Sequence, residues 1–400
     1  MTTTDHSRAT LAGDHSHAPG AAGPVMESSR AARPRSFEVD RFPVPTGREE
    51  EWRFSRLTDL APALENTPTQ DDDDALAASY EVELAGTPDM PTLAPGQAPR
   101  GTVLVPGDRP AAVASANTPE ALHIRIPAGQ ELSEPVRVTV TGTPGRRSNA
   151  HYVVEAEADS TAMVVFEHGG GGIHAGNVEI IVGERAKLTV VSLQLWDTQA
   201  VHVGQHEAAV GEDATYRHIN VTLGGKAVRL TNNAYYAGPR GDAELLGLYY
   251  TDSGQHHEHQ TYINHTTPNC ISRVTYKGAL QGEDAHAVWI GDVLIGVAAE
   301  GTDTYELNRN LILTEGARAD SVPNLEIETG EIEGAGHASA TGRFDDEQLF
   351  YLQSRGVPEA EARKLVVRGF FKSLIRQIGI PEVEERLMAL IEQELEGHAL

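Results

Sequence analysis

The sequence predicts a mainly β protein with helical ends, built on a coiled stack of strands, or β-solenoid. Between residues 101 and 330, short runs that alternate apolar and polar residues follow one another, among them VRVTVTG, KLTVVSLQL and NLILTEG. A glycine-led turn signature recurs between these runs, at Gly183, Gly211, Gly241, Gly282 and Gly316. The spacings of 28, 30, 41 and 34 residues are too irregular for a propeller. They suit a solenoid whose coils carry insertions of different length.

Helical signals lie on both sides of the β-rich region. Thr46 and Glu49 have the spacing of a capping box, which predicts a short helix anchored by Trp52. Near the other end, apolar residues recur at helical spacing over 358–379 and again from 381 onward. Because a solenoid must cover its end strands, these helices are predicted either to cap it or to form a docking platform for a partner.

Four segments follow from these patterns. Residues 1–37, rich in Ala, Gly, Ser, Thr, Pro and His, are predicted to be a disordered tail. Residues 38–100 form an N-terminal helical and connector region, acidic and proline-rich in its second half, with one strand at most. Residues 101–343 form the β-helix core, and residues 344–400 form a C-terminal helical domain.

Composition and charge exclude several classes of function. The formal net charge of −26 disfavours nucleic acid or an anionic membrane as the main partner. The single cysteine, Cys270, rules out an internal disulfide and an all-cysteine metal site within one chain. A reducing cytoplasm is therefore the expected location. We expect no signal peptide and no membrane span, because no apolar run is long enough for either.

The densest histidine cluster lies in GQHHEHQTYINH, with His256, His257, His259 and His265. In a strand, His257 and His259 lie on the same face, so together they could bind a metal. The chain would then be a stand-alone histidine metal protein. The alternative is that these histidines line the solvent face of an acidic sheet.

Three further features have no clear chemistry of their own. Cys270 is either a nucleophile or, with no histidine and acid arranged around it, a buried structural cysteine. The glycines at 169–172 lack the lysine and hydroxyl of a phosphate-binding loop and predict a flexible turn. His337, within GAGHASATG, is on these grounds a turn residue or a hydrogen-bonded polar group. Composition and pattern thus predict no catalytic centre.

Three stretches together resemble the SufB/SufD family of iron–sulfur cluster assembly proteins. They are SRVTYKGALQGEDAHAVWIGDVLI from Ser272, TDTYELNRNLILTEGARADSVPNLEIETGEIEGAGHASATG from Thr302, and DDEQLFYLQSRGVPEAEARKLVVRGFF from Asp345. The likeness is close over roughly the last 150 residues and looser at EEWRF, residues 50–54. It implies a right-handed parallel β-helix core flanked by N- and C-terminal helical segments.

Within the family the chain is more similar to the SufD branch. The SufB branch carries a cysteine just before the strand LILT, where this chain has Asn308, Arg309 and Asn310. SufD-type proteins often carry a cysteine two residues before the histidine equivalent to His337, and here that residue is Ala335. This departure leaves His337 as the one candidate ligand in the motif.

The resemblance implies a non-enzymatic subunit of a SufBCD-type complex, which assembles iron–sulfur clusters. Such a subunit pairs with a SufB-like homologue through the β-helix ends and binds a SufC-like ABC ATPase through its C-terminal helical domain. It holds no stable cofactor alone, and a transient iron ion or cluster forms at the shared interface. A homodimer is a further arrangement that the sequence leaves open.

By the same resemblance, His337 is the candidate iron ligand at that interface, since a neutral imidazole binds iron. Phe350, Tyr351, Arg355 and Gly356 are the candidate ATPase contacts. A packed cap, with Arg355 anchoring the end of a helix, is the alternative for this segment. The alternative for the whole chain is a carbohydrate-processing or carbohydrate-binding β-helix, which the 6% aromatic content and the lack of a secretion signal disfavour.

Overall fold

The structure is a computed structural model that describes residues 30–68, 78–83, 91–344, 346–378 and 380–397. Its strands are β1 (Ala78–Glu83), β2 (Thr92–Leu93), β3 (Ala121–Ile126), β4 (Val136–Gly142), β5 (Arg147–Ala156), β6 (Thr161–Gly170), β7 (Ile173–Val182), β8 (Lys187–Trp196), β9 (Val201–Val210), β10 (Thr215–Thr222), β11 (Ala227–Tyr236), β12 (Asp242–Thr251), β13 (His256–His265), β14 (Ile271–Leu280), β15 (His286–Ile295), β16 (Thr302–Ile312), β17 (Arg318–Ile327) and β18 (Ile332–Arg343). Its helices are α1 (Leu57–Leu64), α2 (Arg109–Ala116), α3 (Asp346–Ser354), α4 (Glu359–Ile378) and α5 (Pro381–Gly397).

The strands form two nine-stranded sheets, which confirms the predicted solenoid. The even sheet runs from β4 to β18 through the even-numbered strands, with β1 added at its first edge. The odd sheet runs from β3 to β17, with β2 added beside β3. All pairs from β3 and β4 onward are parallel, whereas β1 and β2 pair antiparallel. The chain therefore crosses between the sheets at every turn, as a parallel β-helix does.

Side chains stack in columns because successive strands of each sheet pair in register. In one inward column Val164 of β6 lies beside Val190 of β8, followed by His218 of β10 and Leu245 of β12. These side chains are all at most 1% exposed. Each fully buried aliphatic side chain contributes about 1.5–3 kcal/mol. The column pattern explains why a period of two, repeated once per coil, is enough to specify the core.

The five predicted turn glycines all lie between strands. The first three precede β8, β10 and β12, and the last two lie in the turns before β15 and β17. Several of these turns also hold a non-glycine residue in the left-handed region, such as Arg185 at φ 56° and Asp213 at φ 54°. The parallel strands of the solenoid begin at Ala121 and end at Arg343, and the helix α2 lies within the first part of the predicted segment 101–343.

The helices at both ends of the chain cover the outer faces of the solenoid. On the even sheet, Phe371 and Leu374 of α4 and Leu387 of α5 pack against outward residues such as Leu246. On the odd sheet, Trp52, α1 and Ala114 of α2 pack against Ala175, Val201 and Val203. The prediction that the C-terminal helices cap the last strands is therefore wrong for α4 and α5, since their apolar faces match the side of a sheet.

The N-terminal predictions hold in part. Glu49 accepts hydrogen bonds from the backbone N–H and the hydroxyl of Thr46, which is the glutamate half of a capping box, yet only a 3₁₀ turn follows, and α1 begins at Leu57. Residues 1–29 of the predicted tail lie outside the described residues. Residues 30–37 lie against the odd sheet, because Arg30 and Arg35 form ion pairs with Asp292 and Glu207.

The two ends of the solenoid differ. At the first end, β1 and β2 run antiparallel beside β4 and β3. At the other end β17 and β18 are the last strands of the odd and even sheets, and no described strand pairs with their outer edges. Every residue of β17 and β18 is at least partly exposed. The solenoid therefore ends in an open coil.

No helix of the described part of the chain is long and apolar enough to cross a membrane.

Candidate functional site

His337 lies in the open coil, in the middle of β18. Its side chain is exposed, and its register partner on β16 is Glu306. Parallel in-register partners point to the same face of a sheet, so His337 occupies the same inward column as Glu306. Glu306 is 1% exposed, whereas His337 is exposed because none of the described strands lies beyond β18 in its sheet. The interpretation of His337 as a turn residue is wrong, since it belongs to a strand.

Glu306 is a buried carboxyl group without a hydrogen-bond partner. Neither of its side-chain oxygens has a partner among the described residues. A Cβ added at Gly291 of the odd sheet would lie 3.0 Å from Oε1, so the carboxyl reaches across the interior to a residue without a side chain. Burial raises the pKa of Glu306 well above its usual range, Asp292 raises it further, and Arg30 opposes both. A proton-holding group thus lies directly beneath His337.

Beside this column, a hydrogen-bond network links both sheets at the open end. The Tyr249 hydroxyl donates to Asn310 Oδ1 at 2.5 Å and accepts from Asn308 Nδ2 at 3.1 Å. Ser321 of β17 donates to Asn308 Oδ1 at 2.7 Å, and Asn310 Nδ2 donates to Thr341 of β18 at 3.3 Å. Buried networks of this kind fix the arrangement of the strands that they join. The strand that carries His337 is thereby linked to Tyr249 of β12, three coils back.

Two of the predicted docking residues, Phe350 and Tyr351, lie in the middle of α3, and the other two, Arg355 and Gly356, directly follow it. Phe350 and Tyr351 are 72% and 57% exposed, which makes them two of the most exposed large hydrophobic side chains of the described residues. The Arg355 guanidinium lies 5.2 Å from the centre of the Tyr351 ring. Gly356 has a φ of +85°, which ends the helix in a left-handed turn.

The histidines of 256–265 are not on a solvent face. All four are at most 1% exposed. His257, His259 and His265 point into the interior, where they contact residues of the even sheet, and the outward His256 is covered by the segment around Ser55 and Arg56. His257 contacts Thr251 and the Gly225 carbonyl, while the His259 ring contacts Thr222, so the two rings have separate partners. Burial lowers the pKa of each to about 3. Among the described residues, one group of three potential metal ligands converges, and it is His168, His174 and His202 on β6, β7 and β9.

Cys270 is buried, as one of the two interpretations of the sequence predicts. Its Sγ contacts the Thr267 hydroxyl at 3.3 Å and the Gly238 carbonyl at 3.7 Å. Burial raises the pKa of its thiol, which keeps it in the unreactive protonated form at neutral pH. It lies in the turn before β14, two coils before β18 in the even sheet.

Known proteins of similar sequence identify the family of this chain. Residues 139–370 match the family model described as SUF system FeS cluster assembly, SufBD core domain. A SufBD family iron–sulfur cluster assembly protein of Mycobacterium tuberculosis is 51% identical over 371 residues, 90% of this chain and 92% of that protein. The chain belongs to the SufBD family.

Other relatives place this SufBD protein within its family. A SufBD family protein of Mycobacterium leprae is 48% identical over 371 residues, 90% of this chain and 93% of that protein. The iron–sulfur cluster assembly protein SufD of Escherichia coli is 26% identical over 286 residues, 69% of this chain and 67% of that protein. The resemblance noted in the sequence is confirmed, and this SufBD protein is SufD-like. A carbohydrate-processing β-helix is not favoured.

The raised pKa of Glu306 predicts a pH-dependent stability. A glutamate whose pKa is higher in the folded than in the unfolded protein destabilises the fold as pH rises from its unfolded pKa, about 4.3, to its folded pKa. Wild type should therefore lose stability relative to Glu306→Gln across that window, by about 1.4 kcal/mol per unit of pKa shift. Urea unfolding from pH 4 to pH 8 measures the difference.

The matched control is Glu315→Gln, which changes an exposed glutamate of the turn before β17. Its stability should follow wild type at every pH. Parallel curves for wild type and Glu306→Gln would mean that the Glu306 carboxyl has an ordinary pKa.

Proposed function

We propose that this chain is the SufD-like subunit of a SufBCD-type complex, a non-enzymatic assembly subunit that helps to build iron–sulfur clusters. It pairs with a SufB-like homologue through its open coil and docks a SufC-like ABC ATPase through the segment around α3. The iron or cluster is cargo that forms transiently at the shared interface. The observation that carries the proposal is the exposed His337, which lies on a terminal strand whose outer edge pairs with no described strand.

The open coil favours pairing with another β-helix. A terminal strand presents a row of backbone N–H and C=O groups, which a strand of a second chain can satisfy. β17 and β18 present such edges side by side, so two sheets can be extended at once. Pro323 lies in β17, a position that proline tolerates in an edge strand because it lacks an N–H to donate. Its missing donor also limits which strands can pair there.

His337 supplies a nitrogen ligand at this interface. The imidazole is exposed on a strand that the asparagine network holds in place, so it is both accessible and oriented. The sole cysteine of this chain is buried and protonated elsewhere, so a thiolate ligand must come from the partner. The interface would thus combine a nitrogen ligand from this chain with sulfur from its homologue.

The exposure of Phe350 and Tyr351 favours docking over a packed cap. Exposed aromatic residues next to an arginine are the residue types that dominate the energetics of protein interfaces. The neighbouring helix α4 rests firmly on the even sheet, where Arg217 donates to the Ile378 carbonyl at 2.8 Å. A partner that pulls on α3 would therefore act close to the solenoid and close to β18, which precedes α3 directly.

The ligand role of His337 is tested with His337→Ala in the co-expressed complex. Loss of an outer-shell partner alone lowers metal affinity by about 10–100-fold, so loss of a ligand should lower the cluster yield at least about tenfold. The complex itself should stay intact, because one exposed side chain contributes little to a two-sheet interface. Iron and sulfide analysis and mass measurement of the purified complex report the two quantities.

Ser339→Ala is the matched control, since Ser339 is an exposed residue of the same strand. It should leave the yield of cluster unchanged. A normal cluster yield in His337→Ala would show that His337 is not a ligand. A complex that falls apart would make His337 structural, and a homodimer in place of a heteromeric complex would contradict the proposed pairing.

The docking segment is tested with Phe350→Ala combined with Tyr351→Ala. Interface hot spots contribute about 2 kcal/mol or more, so the dissociation constant for the ATPase should rise about 30-fold. Binding is measured by calorimetry with the purified ATPase. Leu365→Ala, which truncates a 46% exposed residue of α4, is the control that should bind as wild type does. Unchanged binding in the double variant, with weakened binding in Leu365→Ala, would move the docking surface to α4.

A further inference from the structure

Three buried histidines converge beneath a glycine turn in the early coils of the solenoid. His168 lies near the end of β6, and His174 and His202 are the second residues of β7 and β9. The centre of the His202 ring lies 4.8 Å from that of His168 and 4.9 Å from that of His174. The ring centres of His168 and His174 are 5.6 Å apart. One ligand nitrogen from each ring lies within 4.8 Å of the other two.

One ring presents a free lone pair, and a second has a nitrogen without a hydrogen-bond partner. His168 Nδ1 lies 3.1 Å from the Leu193 carbonyl, which can only accept, so Nδ1 carries the proton and Nε2 the lone pair. His174 Nδ1 lies 2.8 Å from the Ser148 hydroxyl, and its Nε2 is buried with no hydrogen-bond partner. A second nitrogen that donates to a carbonyl is the usual arrangement of a metal-binding histidine.

Burial keeps all three imidazoles neutral. It lowers the pKa of His168 to about 4 and those of His174 and His202 well below their usual range, with further lowering by neighbouring histidines. A neutral imidazole is the form that binds a metal ion. A positive charge in this buried cluster is unfavourable unless ligand atoms surround it.

The glycine run at 169–172 explains how the rings meet. Gly170 and Gly172 have φ values of +75° and +95°, and a Cβ on either would lie within 2.4 Å of a carbonyl oxygen of the preceding coil. Only glycine allows so tight a turn between His168 and His174. Gly176 in turn leaves room at His174, because a Cβ there would lie 2.5 Å from Nε2. The run is therefore a built turn, where the sequence predicted a flexible one.

His202 has a competing partner. The Trp196 indole N–H donates to His202 Nδ1 at 3.0 Å, so the neutral ring carries its proton on Nε2. A metal ion bound at Nε2 would move that proton to Nδ1, where it would face the indole N–H. Trp196 must then give up this hydrogen bond. In the metal-free cluster, His202 Nε2 thus carries a proton at the position where the metal ion would bind.

We propose that His168, His174 and His202 form a binding site for one divalent first-row transition-metal ion. The hydrogen bond from Trp196 to His202 competes with metal binding at this site. Three imidazoles with one open position suit Zn²⁺, Co²⁺ or Fe²⁺. Tetrahedral coordination at about 2.1 Å needs nitrogens about 3.4 Å apart, so the rings close by roughly 1 Å on binding. The site is independent of His337 and of the proposed function.

The test is metal retention by the full chain after expression with Co²⁺ or Zn²⁺. His6, His15 and His17 of the N-terminal segment are first changed to alanine, so that they contribute no metal. This parent protein should retain about one equivalent of Co²⁺ through gel filtration, with the intense visible bands of a tetrahedral ion. Binding should also change the fluorescence of Trp196.

The variants separate the site from other histidines. His174→Gln should retain less than about a tenth of the metal. His265→Gln removes another buried histidine, and His337→Ala removes the open-coil histidine, and both should retain metal as the parent does. Trp196→Phe should bind the metal more tightly, because the competing donor is gone, whereas a purely structural cluster would show no such gain.

Failure is equally clear. A parent protein that retains no Co²⁺ or Zn²⁺ overturns the proposal, whatever the variants do. So does a folded His174→Gln that retains metal normally, with folding checked by circular dichroism. If His174→Gln does not fold, His202→Gln and the Trp196 fluorescence of the parent protein decide in its place. Loss of retention in His337→Ala would assign the metal to the open coil.

Discussion

In-register pairing of parallel strands is the interaction on which the rest of this structure depends. Each strand of a sheet satisfies the backbone of the strand before it, and its inward side chains cover the column beneath them. One consequence of this rule is that the last coil of the described part of the chain lacks a further coil to cover it. β17 and β18 are the point where this stacking stops. Their partial exposure and the exposure of His337 are two results of the same geometry.

The same stacking creates the unusual interior. Because columns run along the coil, a polar residue in one strand is placed against the residues of its neighbours, and it must find a partner there or remain unpaired. Asn308, Asn310 and Tyr249 solve this problem by bonding to each other. Glu306 and His174 do not, since each keeps polar atoms without a partner. Glu306 lies beneath the open coil and His174 lies in the three-histidine cluster, so at these two residues a partner chain or a ligand could supply the missing contact.

The solenoid, its turns and the C-terminal helices could be predicted from the sequence. Alternation within strands and the glycine turns are local signals, and the helix limits near residues 358, 379 and 381 follow from proline and glycine. What covers each surface could not be predicted. An apolar stripe on α4 shows that a face is buried but not whether it meets an end or a side of the solenoid. His256 of β13 looks solvent-facing for the same reason, because the segment that covers it lies about 200 residues earlier.

The position of His337 shows the same division. Local sequence, rich in glycine and small residues, is typical of a turn, and only the register with Glu306 places it on a strand. The family resemblance pointed to the residue, while the structure supplied its setting on an open edge. His168 and His174 had a readable signal in their spacing across four glycines, but His202 joins them only through the pairing of β7 with β9.

The central claim is that the open coil is the surface that a second β-helix chain covers. Amide hydrogen exchange of this chain, alone and bound to its SufB-like homologue, tests it most directly. The account predicts that the amides of β17 and β18 exchange quickly in the free chain and become protected on binding. Protection confined to α4 and α5, or to the N-terminal segment over the odd sheet, with β17 and β18 unchanged, would contradict it.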